Sequence, residues 1–446
     1  MSNAPVTLRI NARDEAQTME GFGAAGAWWA QDVGGWPDEQ RHRVADLLFD
    51  QKKGAGLSIY RYNIGGGNGA NIADPWRRAE TFEVAPRQYD WTRDANAMWM
   101  LHAVRDRGVG QFVAFVNSPL ARMTHSGLTT GGHAGESNLR PEMYAKFAQY
   151  LVDVVRHLRD AEGVPVKWLS PINEPQWQWQ SKNGQEGCHY EPAEVLEVAR
   201  ALLRAIQQND LDVQLSLFES GEWKASLPYV EALAGDAEVW PALPHLAIHS
   251  YWSTREEKQQ FVAGMKQRRL HKPLWMSEWT EMREGRDASM DSALVLAATM
   301  HDDLTLASVT SWQYWIAVSK YDFRDGLIYA DPGDHAITPT KRLWVMGNYA
   351  RFLRPGFVRL AVQVGNDTVL ASAFRAADDR QWVVVAVNPA NAPVAIQMDV
   401  MDSRLPSHIQ PFETSAQLDL ASLDAGASQT SFTLAAQSVT TFVMDR

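Results

Sequence analysis

Cysteine is nearly absent from this chain. Cys188 is the only one among 446 residues, so no intrachain disulfide can form and the fold must rest on packing. That fits a cytoplasmic protein or a bacterial one that is secreted or periplasmic. Positive charge is scarce too: 42 Lys and Arg stand against 53 Asp and Glu, a formal net charge of -11. This balance favours solubility and disfavours nucleic acid or an anionic membrane as partner. No apolar run reaches about 18 residues, so no membrane span is expected. The opening Met1-Ser2-Asn3-Ala4-Pro5 has neither a basic nor an apolar segment, so no secretion signal is visible. Low-complexity tracts and short internal repeats are missing. Phosphate-binding signals are missing as well. Gly65-Gly66-Gly67-Asn68-Gly69 lacks a following Lys-Ser/Thr and a helix start, so it reads as a tight loop near a pocket. His125, His133 and His189 lie in loops without metal-ligand spacing, and Cys188 has no His–Asp partner pattern and reads as structural. Neither a metal nor a cofactor is expected.

Tryptophan, by contrast, is plentiful at 18 residues, and 45% of the chain is hydrophobic. Large aromatic faces suit the apolar C–H faces of sugar rings, although many must fill the core. The length allows a barrel plus a second unit. Short apolar runs alternate with longer stretches of helical spacing. Strands are expected at 19–25, 57–63, 111–117, 166–171, 214–219, 245–251, 273–278 and 308–315. Helices are expected at 37–53, 91–107, 141–161, 192–209, near 227–234, and at 256–268, 289–304 and 340–352. Eight strand–helix units in order predict a (β/α)8 TIM barrel over 19–352, with an open doubly wound sheet as the rival. After Pro355 helical spacing stops. Alternating strands at 358–362, 369–375, 381–388, 395–398, 431–434 and 438–444 predict an all-β sandwich over 353–446. The alternating stretch 6–10, within 1–18, is expected to join that sandwich. The protein is expected to be a monomer.

In such a barrel, chemistry sits at the C-terminal ends of the strands. Strand two ends with Arg61, strand three with Asn117, strand four with Asn173-Glu174-Pro175, strand five with Glu219, and strand six with His249-Ser250-Tyr251-Trp252. Ser277-Glu278-Trp279 ends strand seven, and strand eight carries Trp312 and Trp315. Strands four and seven are three steps apart around the ring, so Glu174 and Glu278 can converge on one ligand. Cleavage of a glycosidic bond needs such a pair, one to protonate the leaving oxygen and one to attack or stabilise the anomeric carbon.

In Asn173-Glu174-Pro175 and the strand-seven glutamate the chain resembles the clan A retaining glycosidases, and more narrowly glycoside hydrolase family 30. The further matches are Gly21-Phe22-Gly23 at the barrel's opening, Arg61, His249-Ser250-Tyr251, and the tail Asn348-Tyr349 to Arg354-Pro355-Gly356 leading into a β unit. The resemblance implies Glu174 as acid/base and Glu278 as nucleophile. It implies that Asn173 binds the sugar 2-hydroxyl, that Tyr251 hydrogen-bonds the nucleophile and that His249 lines the same subsite. Arg61 would hold the nucleophile as a carboxylate, and Trp312 or Trp315 would floor the subsite. Strand alternation points one of those two tryptophans in and the other out. Asn117, Trp28 and Trp177 are further candidates for substrate binding, with at least one of Trp177 and Trp179 expected beside the acid/base. Glu219 is expected as a polar subsite contact or as a support for other residues.

The stretch 171–177, followed by Gln185-Glu186-Gly187-Cys188, looks most like the endo-β-1,6-galactanase branch, so the expected partner is a plant-type β-glycan. A xylanase (endo or exo) or a β-1,6-glucanase of the same family is the alternative, and a carbohydrate-binding protein is the non-enzyme reading. The loop 318–324 does not match the basic loop of glucuronate-dependent xylanases well, though Lys320 and Arg324 leave that reading open. A polysaccharide substrate would place the protein outside the cytoplasm or in the periplasm.

Overall fold

In the computed structural model, which describes residues 4–67, 69–401, 408–424 and 430–445, eight parallel strands close into a barrel. They are Gly21–Ala25, Ile59–Asn63, Gln111–Phe115, Val166–Ser170, a fifth in two pieces, Leu246–His249, Leu274–Glu278 and Ser311–Tyr314. The last pairs in parallel with the first, setting Trp312 opposite Phe22. The fifth strand breaks at Ser216. Its first piece, Gln214–Leu215, pairs with the fourth strand, and its second, Leu217–Ser220, pairs with the sixth. The expected strand over 214–219 therefore closes the ring from both sides of its break.

The helices form because their apolar residues recur at helical spacing and face the barrel. Helix Tyr144–Asp160 buries Phe147, Leu151, Val154, Val155 and Leu158. Pro192 opens Pro192–Gln208 at a position where a missing N–H costs nothing, and Glu191 and Glu194 cap each other's backbone there. The helix expected over 91–107 is shorter, Ala95–Arg105, because Asp94 takes a left-handed φ of 56° that cannot continue it. Trp91, outside the helix, stacks on His157 at 3.9 Å.

Inside the barrel, side chains alternate along each strand and build layers. Ile59, Val113, Trp168, Ala247 and Trp275 form a dry lower layer. His245 stacks on Trp275 at 3.6 Å, and burial drives its pKa down to about 3, so it serves as a neutral aromatic plug. Two residues further along the strands the inward positions turn polar: Arg61, Ser277 and His249, with Glu219 completing the ring. This change from apolar to charged positions the site.

The C-terminal strands run Val358–Val364, Leu370–Arg375, Gln381–Asn388, Val394–Val400, His408–Thr414, Ala421–Ser422, Ser431–Leu434 and Ser438–Asp445. The N-terminal strand Val6–Thr18 lies among them, antiparallel to Val358–Val364 and parallel to Val394–Val400. Val6, Leu8, Ile10, Leu360, Trp382 and Phe442 share their core. Strand His408–Thr414 was not expected. It carries Pro411, which is tolerated here beside a neighbour of only two residues, Ala421–Ser422, where a missing N–H costs little. Asn348 of helix Lys341–Ala350 ties this unit to the barrel, donating to the Thr441 hydroxyl at 2.9 Å. Among the described residues no helix is long and apolar enough to cross a membrane.

Candidate active site

The strand ends meet in a cavity of about 730 Å³. Glu278 arrives at the end of the seventh strand. Its Oε2 accepts from Arg61 Nη1 at 2.5 Å, and its Oε1 accepts from the Tyr251 hydroxyl at 3.1 Å. Burial and then the charge of Glu278 drive the Tyr251 pKa well upward, so this hydroxyl stays a donor. Glu174 follows the fourth strand with φ 46°, and its backbone N–H donates to the Glu219 carbonyl at 2.8 Å. Trp28, Glu219 and Trp252 also hold positive φ, at 69°, 60° and 46°. Such backbone persists where surrounding contacts over-determine it, and here it aims side chains at one place. Gly221 lets its chain pass close by: a Cβ there would lie 2.8 Å from Glu174 Oε1.

Beneath the two carboxyl groups lies a network closed to solvent. His249 Nδ1 sits 3.3 Å from Glu174 Oε1, and its Nε2 sits 3.2 Å from Glu219 Oε2. Glu219 also accepts from the Ser277 hydroxyl and lies 3.5 Å from Arg61 Nη2. Burial disfavours charge on His249 more than any other single influence. The charge of Glu278 and the bonds to Glu174 and Glu219 together outweigh it and bring the pKa up to about 9. Burial likewise works against a charged Glu219, but Arg61, His249 and Ser277 prevail and hold its pKa at about 2. For Glu174 burial wins: its pKa is raised, with His249 pulling down and the charge of Glu278 pushing up. Two cations thus face two carboxylates, and a proton on Glu174 leaves the set neutral.

One oxygen of Glu174, one of Glu278 and a ring nitrogen of His249 lie within 4.8 Å of one another, a spacing that a metal ion could also use. Hydrogen bonds already join the three groups to their surroundings: His249 Nδ1 lies 3.3 Å from Glu174 Oε1, and Glu278 Oε1 accepts from the Tyr251 hydroxyl at 3.1 Å.

Of the residues singled out from sequence, Trp28, Asn117, Asn173, Glu174, Trp177, Tyr251, Glu278 and Trp315 line the cavity. Asn173 Oδ1 accepts from Arg61 Nη2 at 2.8 Å, which turns its amide into a fixed donor. Arg61 and His249 are fully buried below the wall and touch the carboxyl groups instead. Trp312 does not reach the cavity. It is buried behind the barrel wall, its Nε1 donating to Asp303 at 2.9 Å, because strand alternation turns it outward. Glu219 also stays off the wall. Trp179 lines the cavity, while Trp29 is core and donates to the Ala25 carbonyl at 2.8 Å. The glycine-rich loop serves Glu186, whose Oε1 accepts from the Gly66 N–H at 2.9 Å; Asn68 lies outside the described residues.

Arg77, Tyr321 and Asp325 are further wall residues that sequence reasoning missed. Trp252, expected at the end of strand six after His249-Ser250-Tyr251, lines the wall as well. It stands half-exposed with its ring edge-on to Trp177 at 5.6 Å. The other three sit in long loops with no spacing signal.

Residues 5–329 match the family model for O-glycosyl hydrolase family 30. The chain belongs to glycoside hydrolase family 30. It is therefore a glycoside hydrolase, and its substrate is a carbohydrate. An endo-β-1,6-galactanase from Hypocrea rufa is 23% identical over 413 residues, covering 86% of this chain and 82% of that one. Glucuronoxylanase XynC from Bacillus subtilis (strain 168) is 25% identical over 326 residues, 71% of this chain and 69% of that protein. A conserved exported protein from Bacteroides fragilis superposes with a TM-score of 0.89 at 25% identity, covering 98% of this family 30 chain and all of the other.

Proposed function

We propose that this enzyme cleaves a β-linked polysaccharide with retention of configuration, and that its substrate is β-1,6-galactan cut internally. The observation that carries the mechanism is the spacing of Glu174 and Glu278, whose nearest oxygens lie within 4.8 Å. Retaining enzymes need their carboxyl groups roughly 5 Å apart, whereas inverting ones leave about 6.5–9.5 Å for a water.

Glu278 attacks the anomeric carbon while Glu174, kept protonated by burial, gives its proton to the leaving oxygen. The C–O bond breaks and a glycosyl ester forms on Glu278. That ester removes the negative charge that had been raising the Glu174 pKa. The Glu174 pKa then falls, so its carboxylate stays deprotonated and available to take a proton from the incoming water. The water's oxygen bonds to the anomeric carbon and Glu278 is released. Tyr251 and Arg61 hold the nucleophile in line, the Asn173 amide meets the 2-hydroxyl, and Trp315 supplies an apolar floor. The likeness to the conserved exported protein from Bacteroides fragilis supports a protein working outside the cytoplasm.

The galactan reading is supported by the likeness to the Hypocrea rufa enzyme over most of both chains. The loop after strand eight weakens the glucuronoxylan alternative. Lys320 pairs with Asp74 at 2.8 Å, Arg324 pairs with Glu281 at 3.3 Å and Asp287 at 3.2 Å, and neither lines the cavity, which argues against either reading an acidic branch. The test is hydrolysis of β-1,6-galactan, glucuronoxylan, arabinoxylan and β-1,6-glucan, with products sized by chromatography and the first-formed anomer read by NMR. A ladder of β-galacto-oligosaccharides is expected. Cleavage of another glycan alone overturns the substrate, and a first-formed α-anomer overturns the mechanism.

A further inference from the structure

Behind the barrel wall, in the closed layer between strands and helices, one carboxylate gathers three donors. Asp303, on helix Met290–Leu306, is completely buried. Its Oδ1 accepts from the Ser250 hydroxyl at 2.8 Å and lies 2.7 Å from Lys258 Nζ, on helix Arg255–Gln267. Its Oδ2 accepts from Trp312 Nε1 on the eighth strand at 2.9 Å. Ser250, Lys258 and Trp312 are buried as well. A buried ion pair gives up the hydration of both charges, so it is a weak source of stability. The three donors come from different elements, and the carboxylate fixes the end of the sixth strand against the eighth strand and two helices. Side chains alternate along the sixth strand, so Ser250 faces the helices while His249 points into the network beneath the two carboxyl groups. The Ser250 hydroxyl also accepts from Trp223 Nε1 at 2.7 Å, which directs its own proton to Asp303. The Ser250 backbone N–H donates to the carbonyl of Glu278 at 3.3 Å. Its neighbour Tyr251 donates to Glu278 Oε1 at 3.1 Å. The strand itself ends at His249, and the chain turns away at Trp252, φ 46°, so Ser250 is the anchor of this segment.

We propose that Asp303 is a positioning residue for the nucleophilic step, holding the Tyr251 hydroxyl and the Glu278 carboxylate in line for attack through Ser250. The inference rests on the retaining reading above but not on the identity of the glycan. Asp303 is not part of the cavity wall and meets neither substrate nor reacting atoms. Its effect passes along two short routes, from the Ser250 N–H to the main chain of Glu278 and from Tyr251 to its carboxylate. A buried pair that served stability alone would change how many molecules are folded, and would leave the rate of each folded molecule as it was.

The experiment compares the wild type with Ser250→Ala, Asp303→Asn and Asn348→Ala. Ser250→Ala cuts the link and leaves Asp303 paired with Lys258 and Trp312. Asn348→Ala removes a tie between barrel and β unit without touching the sixth strand, and controls for lost stability. The probe is the 2-deoxy-2-fluoro β-glycosyl fluoride of the smallest sugar that the wild type releases from the four glycans above. Glu278 attacks its anomeric carbon, the C–F bond breaks, fluoride leaves with the bonding pair, and the ester on Glu278 accumulates. Fluoride release gives the rate, and mass spectrometry of the digested protein gives the labelled residue and the amount. Ser250→Ala should be labelled about tenfold more slowly or worse, yet reach one label per folded chain. Its kcat should fall to match, with KM within about threefold. Asp303→Asn should slow labelling about threefold or more; if it does not fold, Ser250→Ala decides alone. Asn348→Ala should unfold at a lower temperature with its labelling rate within about twofold of the wild type. An unchanged rate in Ser250→Ala, less label at an unchanged rate, or equal slowing in Asn348→Ala would overturn the role of Asp303. A wild type that carries no label on Glu278 overturns the retaining reading and this role with it, whereas a labelled wild type beside unslowed variants overturns the role alone.

Discussion

Glu219→Gln isolates the buried network from the reacting groups, because Glu219 supports Arg61, His249 and Ser277 without reaching the cavity. The structure holds its pKa at about 2 against an ordinary 4.5. A tenfold change in proton affinity corresponds to about 1.4 kcal/mol, so the charged carboxylate contributes on the order of 3 kcal/mol. Its folded value lies below the unfolded one. The stabilisation is therefore complete above about pH 4.5 and is lost as the pH falls toward 2. His249 is raised from 6.5 to about 9, so its contribution is complete below 6.5 and disappears as the pH rises through 9. The two draw on the same contacts and are not summed. Urea unfolding of Glu219→Gln from pH 3 to 8 should show a deficit of roughly 2–3 kcal/mol between pH 5 and 6.5 that narrows steadily toward pH 3. Activity should change in a linked way. Losing a carboxylate partner lowers the His249 pKa, and a neutral His249 no longer pulls the Glu174 pKa down. The alkaline limb of kcat/KM should then move to higher pH, with kcat lower by about tenfold and KM within about twofold. A deficit that does not vary with pH, or an alkaline limb that moves down, would refute this account of the network.

Glu278→Gln should lower kcat by about 10⁴-fold or more while leaving oligosaccharide binding within a few fold, measured by single-turnover kinetics and calorimetry. Unchanged activity would show the nucleophile to be misassigned. Trp252→Ala should raise KM on polymer by roughly three- to tenfold with little change in unfolding temperature, since the ring is half-exposed and touches Trp177 by its edge. Ending the chain at Pro355 should give insoluble protein, because strand Val6–Thr18 would lose both neighbours and expose Val6, Leu8 and Ile10. A soluble, active barrel would count against the two units being interdependent.

Periodicity and strand-end chemistry decide a good deal here without coordinates. Alternating apolar runs and helical stretches specify the barrel, because each periodicity can bury only one kind of face. Asn173-Glu174-Pro175 and Ser277-Glu278-Trp279 sit at strand ends, where the chain must emerge on the reactive side. Which face a residue presents is harder to read. Trp312 and Trp315 are equivalent as letters, and only the register of the eighth strand turns one behind the wall and the other into the cavity. Strand His408–Thr414 carries Pro411, and its tolerance of that residue depends on a two-residue neighbour brought alongside by the fold. Arg77, Tyr321 and Asp325 meet only because two long loops fold over the same mouth, a matter of closure that no local spacing encodes. The protonation of Glu174 and His249 is likewise a property of burial and of charges brought together from distant strands, so it exists only in the tertiary structure.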